Sequence, residues 1–313
     1  MSNFFDQIGI SPNAGASAGA IKEVERACGV RFPQDFRDFY RASDGIDIPC
    51  DLHPATRKRP RGPRLQKVVS ILPLDRFAEY STFHGARYVP FMDCNDSDPY
   101  TLCCREPLNG FIVHIFHDND LHLQLVCSSF TRFLDLIAET HQQIRTLDCD
   151  TSEAIDRFAL IPGDYDFEST RRTEKDARIG RKLIRSASRL EDGERSADLT
   201  YAAQLFGAGH ESDLERILAV GDEYVREAVL RRCRCLNSPA ARKILKKDAE
   251  DFEHFVNELA DRFTAAGLKV RRNPPNSHDL MVGHNVYVNV LRFYSNRRDS
   301  TLFDRFVAEH VRR

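Results

Sequence analysis

Apolar positions recur at helical spacing twice near the start of the chain. Ile21, Val24 and Cys28 fall at i, i+3 and i+7, and Phe36, Phe39 and Tyr40 form a second stripe. Gly29 stops the first helix, because glycine accepts the left-handed conformation a helix end needs. Pro33 opens the second, where its missing N–H costs nothing, and Asp35 lies in its first turn near the positive end of the helix dipole. Ser43-Asp44-Gly45 stops that helix, so residues 20–45 predict a helical hairpin. The pattern then changes. Residues 68–72, 87–92, 100–104, 110–116 and 121–127 read as strands, with a short helix over 74–80. Asn109-Gly110 is turn chemistry, and Asp118-Asn119-Asp120 joins two strands as a hairpin. Ser129 caps a helix over 130–147 whose stripe is Phe130, Phe133, Leu134, Ile137, His141 and Ile144. Helices, a mostly antiparallel sheet and a closing helix make residues 20–147 an α+β domain.

The flanks have a different texture. Residues 1–19, with Gly, Ala and Ser dominating 13–19, predict a flexible lead. Residues 148–172, acidic and carrying Pro162-Gly163-Asp164, predict a linker. Residues 173–250 predict short helices over 176–190, 197–206, 212–220, 222–236 and 239–247, broken at Gly207-Ala208-Gly209, Gly221 and Asn237-Ser238. The first of these has Ile179, Leu183, Ala187 and Leu190 on one face and Arg178, Lys182, Arg185 and Arg189 on another. The phrases GDEYVREAVLRR and NSPAARKIL resemble HEAT-type helical repeats; an irregular helical bundle fits two pairs equally. Residues 251–313 predict a small helix–strand–helix unit. Its helix carries Phe252, Phe255, Val256, Leu259, Phe263 and Ala266 and stops at Gly267; strands follow over 268–271, 279–282 and 286–293, then a helix over 301–311.

Composition narrows the class. With 313 residues, 42% of them hydrophobic, the chain has room for two ordinary domains or one large one, with real cores. A formal charge of -2 argues against a purely electrostatic nucleic-acid binder. No run of 18 apolar residues exists, and the opening MSNFFDQIGISPNAG lacks the basic-then-apolar form of a secretory signal. Nine cysteines, odd in number and irregularly spaced, do not make a disulfide scaffold. A cytoplasmic protein with mostly free, buried thiols is the expectation, with no membrane contact.

Candidate chemistry is sparse. His114, His117 and His122 lie near Cys103, Cys104 and Cys127 in sequence. However, His114 and His117 are an odd number apart on a strand and point to opposite faces. Cys233 and Cys235 diverge on a helix, and no C-x-x-C pair exists, so no metal site is expected. There is no G-x-S-x-G, no P-loop and no dinucleotide fingerprint, so no catalytic residue and no cofactor are assigned. Asp279 followed by Asn289-Val290-Leu291 resembles the PD-D/E-x-K nucleases, but Asn289 and Leu291 stand where a second carboxylate and a lysine would hold Mg²⁺. Two charged segments remain. A basic loop carries Arg57, Lys58, Arg59, Arg61, Arg64 and Lys67, either a solvated loop or a contact arm for an acidic partner or nucleic acid. Acidic turns carry Asp93, Asn95, Asp96 and Asp98, then Asp118 and Asp120, with no Lys or Arg interleaved. They are candidates for contact with a basic partner, beside Ca²⁺ binding and plain solvation.

The residue order resembles the SUKH superfamily over about the first 140 residues. The resemblance rests on Glu25, Gly29-Val30-Arg31-Phe32-Pro33, Phe36, Phe39-Tyr40 and Asp44-Gly45. It continues through Val89-Pro90-Phe91 with the acidic loop from Asp93 to Asp98, the strands from Tyr100 and Gly110, and Ser129-Phe130 with Phe133-Leu134. It implies structural roles for Glu25, Gly29, Pro33, Asp44, Gly45, Pro90, Ser129 and Phe130. It also implies a non-catalytic binding module. Members are mostly bacterial immunity proteins that neutralise polymorphic toxins, often nucleases, and some eukaryotic members are signalling scaffolds. The function expected is therefore an immunity protein with a toxin domain as partner. The alternatives are a regulatory scaffold or a degenerate nuclease-like enzyme in the C-terminal unit. Nucleic acid is not an expected partner except through residues 57–67.

Overall fold

Consecutive antiparallel strands tend to pair with their neighbours in sequence, and the first compact unit, Met1–Asp166, is built that way. Its helices α1 (Ser2–Ile8), α2 (Ala18–Cys28) and α3 (Gln34–Ala42) precede six strands: β1 (Ile46–Pro49), β2 (Val68–Ile71), β3 (Tyr88–Asp93), β4 (Tyr100–Cys103), β5 (Ile112–Phe116) and β6 (His122–Cys127). Helices α4 (Phe130–Thr146) and α5 (Thr151–Ala159) close the unit. The structure is a computed structural model that describes residues 2–50, 68–77, 88–93, 98–116, 122–147, 151–272, 280–282, 286–295 and 301–310. The strands form one sheet in the order β1-β2-β3-β4-β5-β6, each pair antiparallel, which is the α+β class the sequence predicts.

The helical hairpin forms for the reasons its sequence gives. Ser17 caps α2 by accepting the Ala20 N–H. At the other end Gly29 sits at φ 67°. Its N–H reaches the Arg26 carbonyl while that of Val30 reaches the Glu25 carbonyl, which closes the end in a Schellman motif. Phe36, Phe39 and Tyr40 on α3 are fully buried, and their rings meet Phe77, Phe91 from β3 and Phe130 from α4. Tyr100, Leu102 and Ile112 bring the sheet into the same core.

Three differences from the sequence-based expectation lie in this unit. First, residues 1–19 are not a loose lead. Phe4, Phe5 and Ile8 of α1 are buried, and the Phe5 ring stacks on Phe39 at 6.1 Å. Residues 13–16 strap the end of α3: Ala16 N–H donates to the Tyr40 carbonyl, Asn13 N–H to Ser43 Oγ and Asn13 Nδ2 to the Gly45 carbonyl. Gly15 is required there, since a Cβ would fall 1.9 Å from the Arg41 carbonyl oxygen. Second, strand β1 is new. Its Ile-Asp-Ile-Pro alternation is too short to stand out before Pro49, yet Ile46 and Ile48 are buried and Asp47 exposed. Third, part of the expected linker is core. Ala154, Phe158, Ala159 and Ile161 pack inward, and the unit ends at Asp166.

The second unit, Phe167–Arg313, has helices α6 (Glu174–Ala187), α7 (Asp192–Leu205), α8 (Glu211–Leu218), α9 (Glu223–Leu236) and α10 (Pro239–Ala265). Strands β7 (Val270–Arg272), β8 (Leu280–Val282) and β9 (Val286–Val288) form an antiparallel sheet in that order, followed by helices α11 (Val290–Ser295) and α12 (Leu302–His310). Helix α7 packs on α6, and α9 on α7, α8 and α10. Arg232, fully buried on α9, donates to the carbonyls of Phe167, Ser169 and Phe206 at 2.7 Å each. Burial draws its pKa down to about 10, so it stays charged at neutral pH.

The border expected at residue 250 is absent, because α10 runs unbroken through it. The polar stretch there is held from both sides. Asp248 is buried and forked onto Arg226 at 3.0 and 2.5 Å, and the Arg226 guanidinium lies over the Phe252 and Tyr294 rings. The strand expected over 286–293 stops at Val288, since Val290, Phe293 and Tyr294 turn inward at helical spacing.

Residues 1–166 expressed alone should unfold in a single cooperative urea transition. Phe5→Ala in that fragment should lower its stability by about 3 kcal/mol, the usual cost of emptying a buried aromatic site. A midpoint equal to that of the parent fragment would mean that α1 contributes nothing.

Candidate functional site

Parity decides where the charged connections emerge. In a meander with every pair antiparallel, connections one, three and five turn at the same end of the sheet. The register bears this out: Pro49 faces Val68, Met92 faces Tyr100 and Phe116 faces His122 at that rim. These strand ends lead into residues 51–67, 94–97 and 117–121. The Lys/Arg-rich segment and both acidic turns are therefore attached to one rim. Asn95, Asp96, Asp118 and Asp120 lie outside the described residues, as does the basic segment. Asp93 ends β3 and Asp98 precedes β4.

The register adds an acid that sequence reading missed. Asp47, Ser70 and Asp93 occupy one row across β1, β2 and β3, and Ser70 Oγ donates to Asp47 Oδ1 at 2.6 Å. Recognising β1 was the only route to Asp47, and its signal was a single apolar–polar–apolar alternation.

Beneath the rim the sheet is rigidly tied. His114 is 3% exposed, stacked on Tyr100 at 4.2 Å and packed against Phe116 at 4.0 Å. Its Nε2 lies 3.1 Å from the Asp98 carbonyl oxygen, an N–H donating to that acceptor, so the chain carrying Asp98 is fixed to β5. Desolvation lowers its pKa from 6.5 to about 4, so the ring is neutral at physiological pH. The Tyr100 hydroxyl donates to the Ala159 carbonyl at 3.0 Å and accepts from the Ile161 N–H at 2.9 Å, which locks β4 to the segment after α5.

The residues that carry the family resemblance stand elsewhere, in contacts that hold the fold. Glu25 Oε1 accepts the Phe32 N–H at 2.8 Å across the corner of the hairpin. Pro33 is the residue before α3, and Gly110 comes close against its ring. Asp44 Oδ1 accepts the Leu74 N–H at 2.9 Å. Gly45 has φ 73°, and a Cβ there would lie 2.8 Å from both the Ile71 carbonyl oxygen and the Pro73 nitrogen. Pro90 is buried in β3 at an irregularity in its pairing with β4. Ser129 caps α4 by accepting the Arg132 N–H, and Phe130 is fully buried.

Other candidate chemistry is dispersed. Cys103, Cys127 and Cys233 are buried, and burial pushes the Cys127 and Cys233 thiols upward, Cys233 to about 12. Among the described residues no group of three or more His, Cys, Asp or Glu is placed to hold a metal ion. His117 and Asp279 lie outside the described residues. Asn289 falls between β9 and α11, and Leu291 on α11 packs against the C-terminal core, so the strand that the nuclease resemblance requires at 289–291 is not there. Among the described residues no helix is long and apolar enough to cross a membrane.

A six-stranded antiparallel meander entered by a helical hairpin and closed by a capped helix defines an α+β domain with three of its five connections at one rim. Residues 15–136 match the SMI1 / KNR4 family (SUKH-1), and the N-terminal part of the chain is a domain of that family. No curated protein matches the chain.

Protonation of His114 supplies a test of the rim's foundation. Above pH 6.5 the ring is neutral in folded and unfolded chains alike. Below it the unfolded chain binds a proton that the folded chain refuses until about pH 4. Stability should therefore fall as pH drops from 6.5 toward about 4, by about 3 kcal/mol from this group. Urea titrations of wild type and His114→Gln across that range should show the loss in the wild type and its absence in the variant. Parallel curves would mean that the ring is solvated.

Proposed function

We propose that the chain is a non-catalytic protein-binding module that acts as an immunity protein. In this reading the SUKH-1 domain captures a basic partner, a polymorphic toxin domain of the nuclease kind, through the acidic side of its sheet rim. One observation carries it. The meander's parity attaches both acidic turns, with Asp93, Asp96, Asp98, Asp118 and Asp120, to the same rim, and the register adds Asp47 beside them. Charge supports it: residues 1–166 hold 17 Lys/Arg against 24 Asp/Glu, a formal -7. A nuclease groove is positive where it meets its substrate, and the acidic turns complement that groove and speed encounter. The family match supports the class of activity, since SUKH domains commonly serve this role. Connections at a sheet end can vary without disturbing the core, which suits a surface that must fit one cognate toxin.

Charge reversal tests the surface. Asp96→Lys with Asp118→Lys should slow association with the cognate toxin domain by about tenfold or more at low salt and flatten its salt dependence. The urea midpoint should stay at the wild-type value. Association at the wild-type rate across a salt series would remove the rim from the interface.

A further inference from the structure

The formal charge of -2 conceals a partition. Against the -7 of residues 1–166, residues 167–313 hold 28 Lys/Arg and 23 Asp/Glu, a formal +5. Part of that excess is ordered. Arg171, Lys175, Arg178, Lys182, Arg185 and Arg189 recur at intervals of four and three residues through α6 and its flanks, and all six are exposed. The opposite side of α6 holds the buried Ala177, Gly180, Leu183 and Ala187, so the four cations within the helix, Lys175, Arg178, Lys182 and Arg185, form a stripe facing away from the packed side, with Arg171 and Arg189 exposed just beyond its two ends.

None of the six is in an ion pair among the described residues. The ion pairs of α6 belong to its neighbour Arg181, which takes Asp213 at 3.0 Å and Glu174 at 3.2 Å. Arg178 Nε makes only a long bond, 3.4 Å, to the Glu174 carbonyl. The other acids near the stripe are occupied or at its ends. Asp176 is buried in the capping box with Thr173, Asp192 pairs with Arg195 at 3.3 Å, and Glu168 and Glu191 flank the two ends. The stripe is also preorganised. The capping box fixes the start of α6, and Arg232 with Arg172 pins the approach to it through the Phe167, Ser169 and Gln204 carbonyls.

We propose that this face of α6 binds the sugar–phosphate backbone of a nucleic-acid duplex without reading its sequence. Charge complementarity and what the stripe lacks select that occupant. A protein interface of useful strength is centred on buried aromatic or aliphatic anchors. Among the described residues of this unit the large exposed apolar side chains, Val220 and Tyr224, lie off α6, so the stripe offers none. It offers charge alone, and charge alone suffices for sequence-independent phosphate binding. Lys175 to Arg185 covers about 15 Å of helix axis, while a duplex presents a negative charge about every 1.7 Å. The charge density of a duplex is therefore high enough to meet each cation of the stripe. The four arginines add bidentate contacts to phosphate oxygens. This inference is independent of the acidic rim and of the toxin reading.

Fluorescence anisotropy of a labelled duplex of about 30 base pairs, titrated with the full chain, tests it. With six phosphate contacts, log K should fall with log salt at a slope of about -5, roughly a thousandfold between about 50 and 200 mM. Arg178→Glu with Lys182→Glu and Arg185→Glu should remove binding at low salt with an unchanged urea midpoint, and the corresponding Gln variants should weaken it by at least about tenfold. Reversal of three exposed cations on α10, Arg242, Lys243 and Lys246, should leave affinity within about twofold. No binding at low salt would overturn the proposal, as would equal loss from the α10 variant. Competition by polyglutamate as effective as that by unlabelled duplex would mean that an acidic protein is the occupant, and would overturn it as well.

Discussion

The ring of Phe36 is the contact on which the first unit depends. It is fully buried on α3 and meets Phe32 at 5.0 Å, Tyr40 at 4.9 Å, Phe77 at 6.1 Å, Phe91 at 5.7 Å and Phe130 at 4.7 Å. One side chain thus joins the hairpin, the third strand and the closing helix. Edge and tilted contacts of this kind add to plain apolar burial, so the cluster fixes orientation as well as proximity. Its geometry depends on how α3 enters. Glu25 grips the Phe32 N–H, Gly29 reverses the chain, and Pro33 starts α3 with its aromatic stripe toward the sheet. At the other end of α3, the Tyr40 hydroxyl donates to the Leu72 carbonyl at 2.8 Å and Gly45 lets the backbone pass Ile71 and Pro73.

That dependence separates two sets of residues. The positions that identify the family are those that build the aromatic nucleus and its entry. They say which fold the chain has and little about what it touches. The positions proposed to meet a partner lie on connections whose sequence the nucleus does not constrain. The link between the sets is geometric: the core fixes the strand ends, and the strand ends fix where the charged connections leave the sheet. His114 and Tyr100 make that link stiff, since both are stacked beneath the rim and tied to backbone carbonyls on neighbouring segments.

What the sequence disclosed follows from how each element is stabilised. The hairpin and α4 were legible because their apolar stripes are long and their caps local. Strand β1 was not, because four residues give a single alternation. Without it the basic segment could not be assigned to the same rim as the acidic turns, and Asp47 went unnoticed. Helix α1 and the strap over residues 13–16 were hidden because small residues that bond helix-end carbonyls have the composition of a loose lead. Helix α10 looked broken because its middle is polar. The polarity is an internal ion pair: Asp248 is 6% exposed and held by Arg226, so a charge that reads as solvent-facing is part of the packing. The acidic turns were legible as charge, while the common end of the strands that lead into them needed the topology.

The same limit applies to net charge. At physiological ionic strength an exposed charge acts over about 8 Å, far less than the span of either unit. The sum over a whole chain therefore describes no surface that a partner meets. An acidic unit and a basic one average to near neutrality, and the -2 of the full sequence argued only against a uniformly basic protein. Encounter is governed by the sign of the face presented, and in the second unit helical periodicity sets Lys175, Arg178, Lys182 and Arg185 along one such face. Two backbone geometries, with periods of two and of about 3.6 residues, thus decide which charges stand together, whatever the balance over the whole sequence.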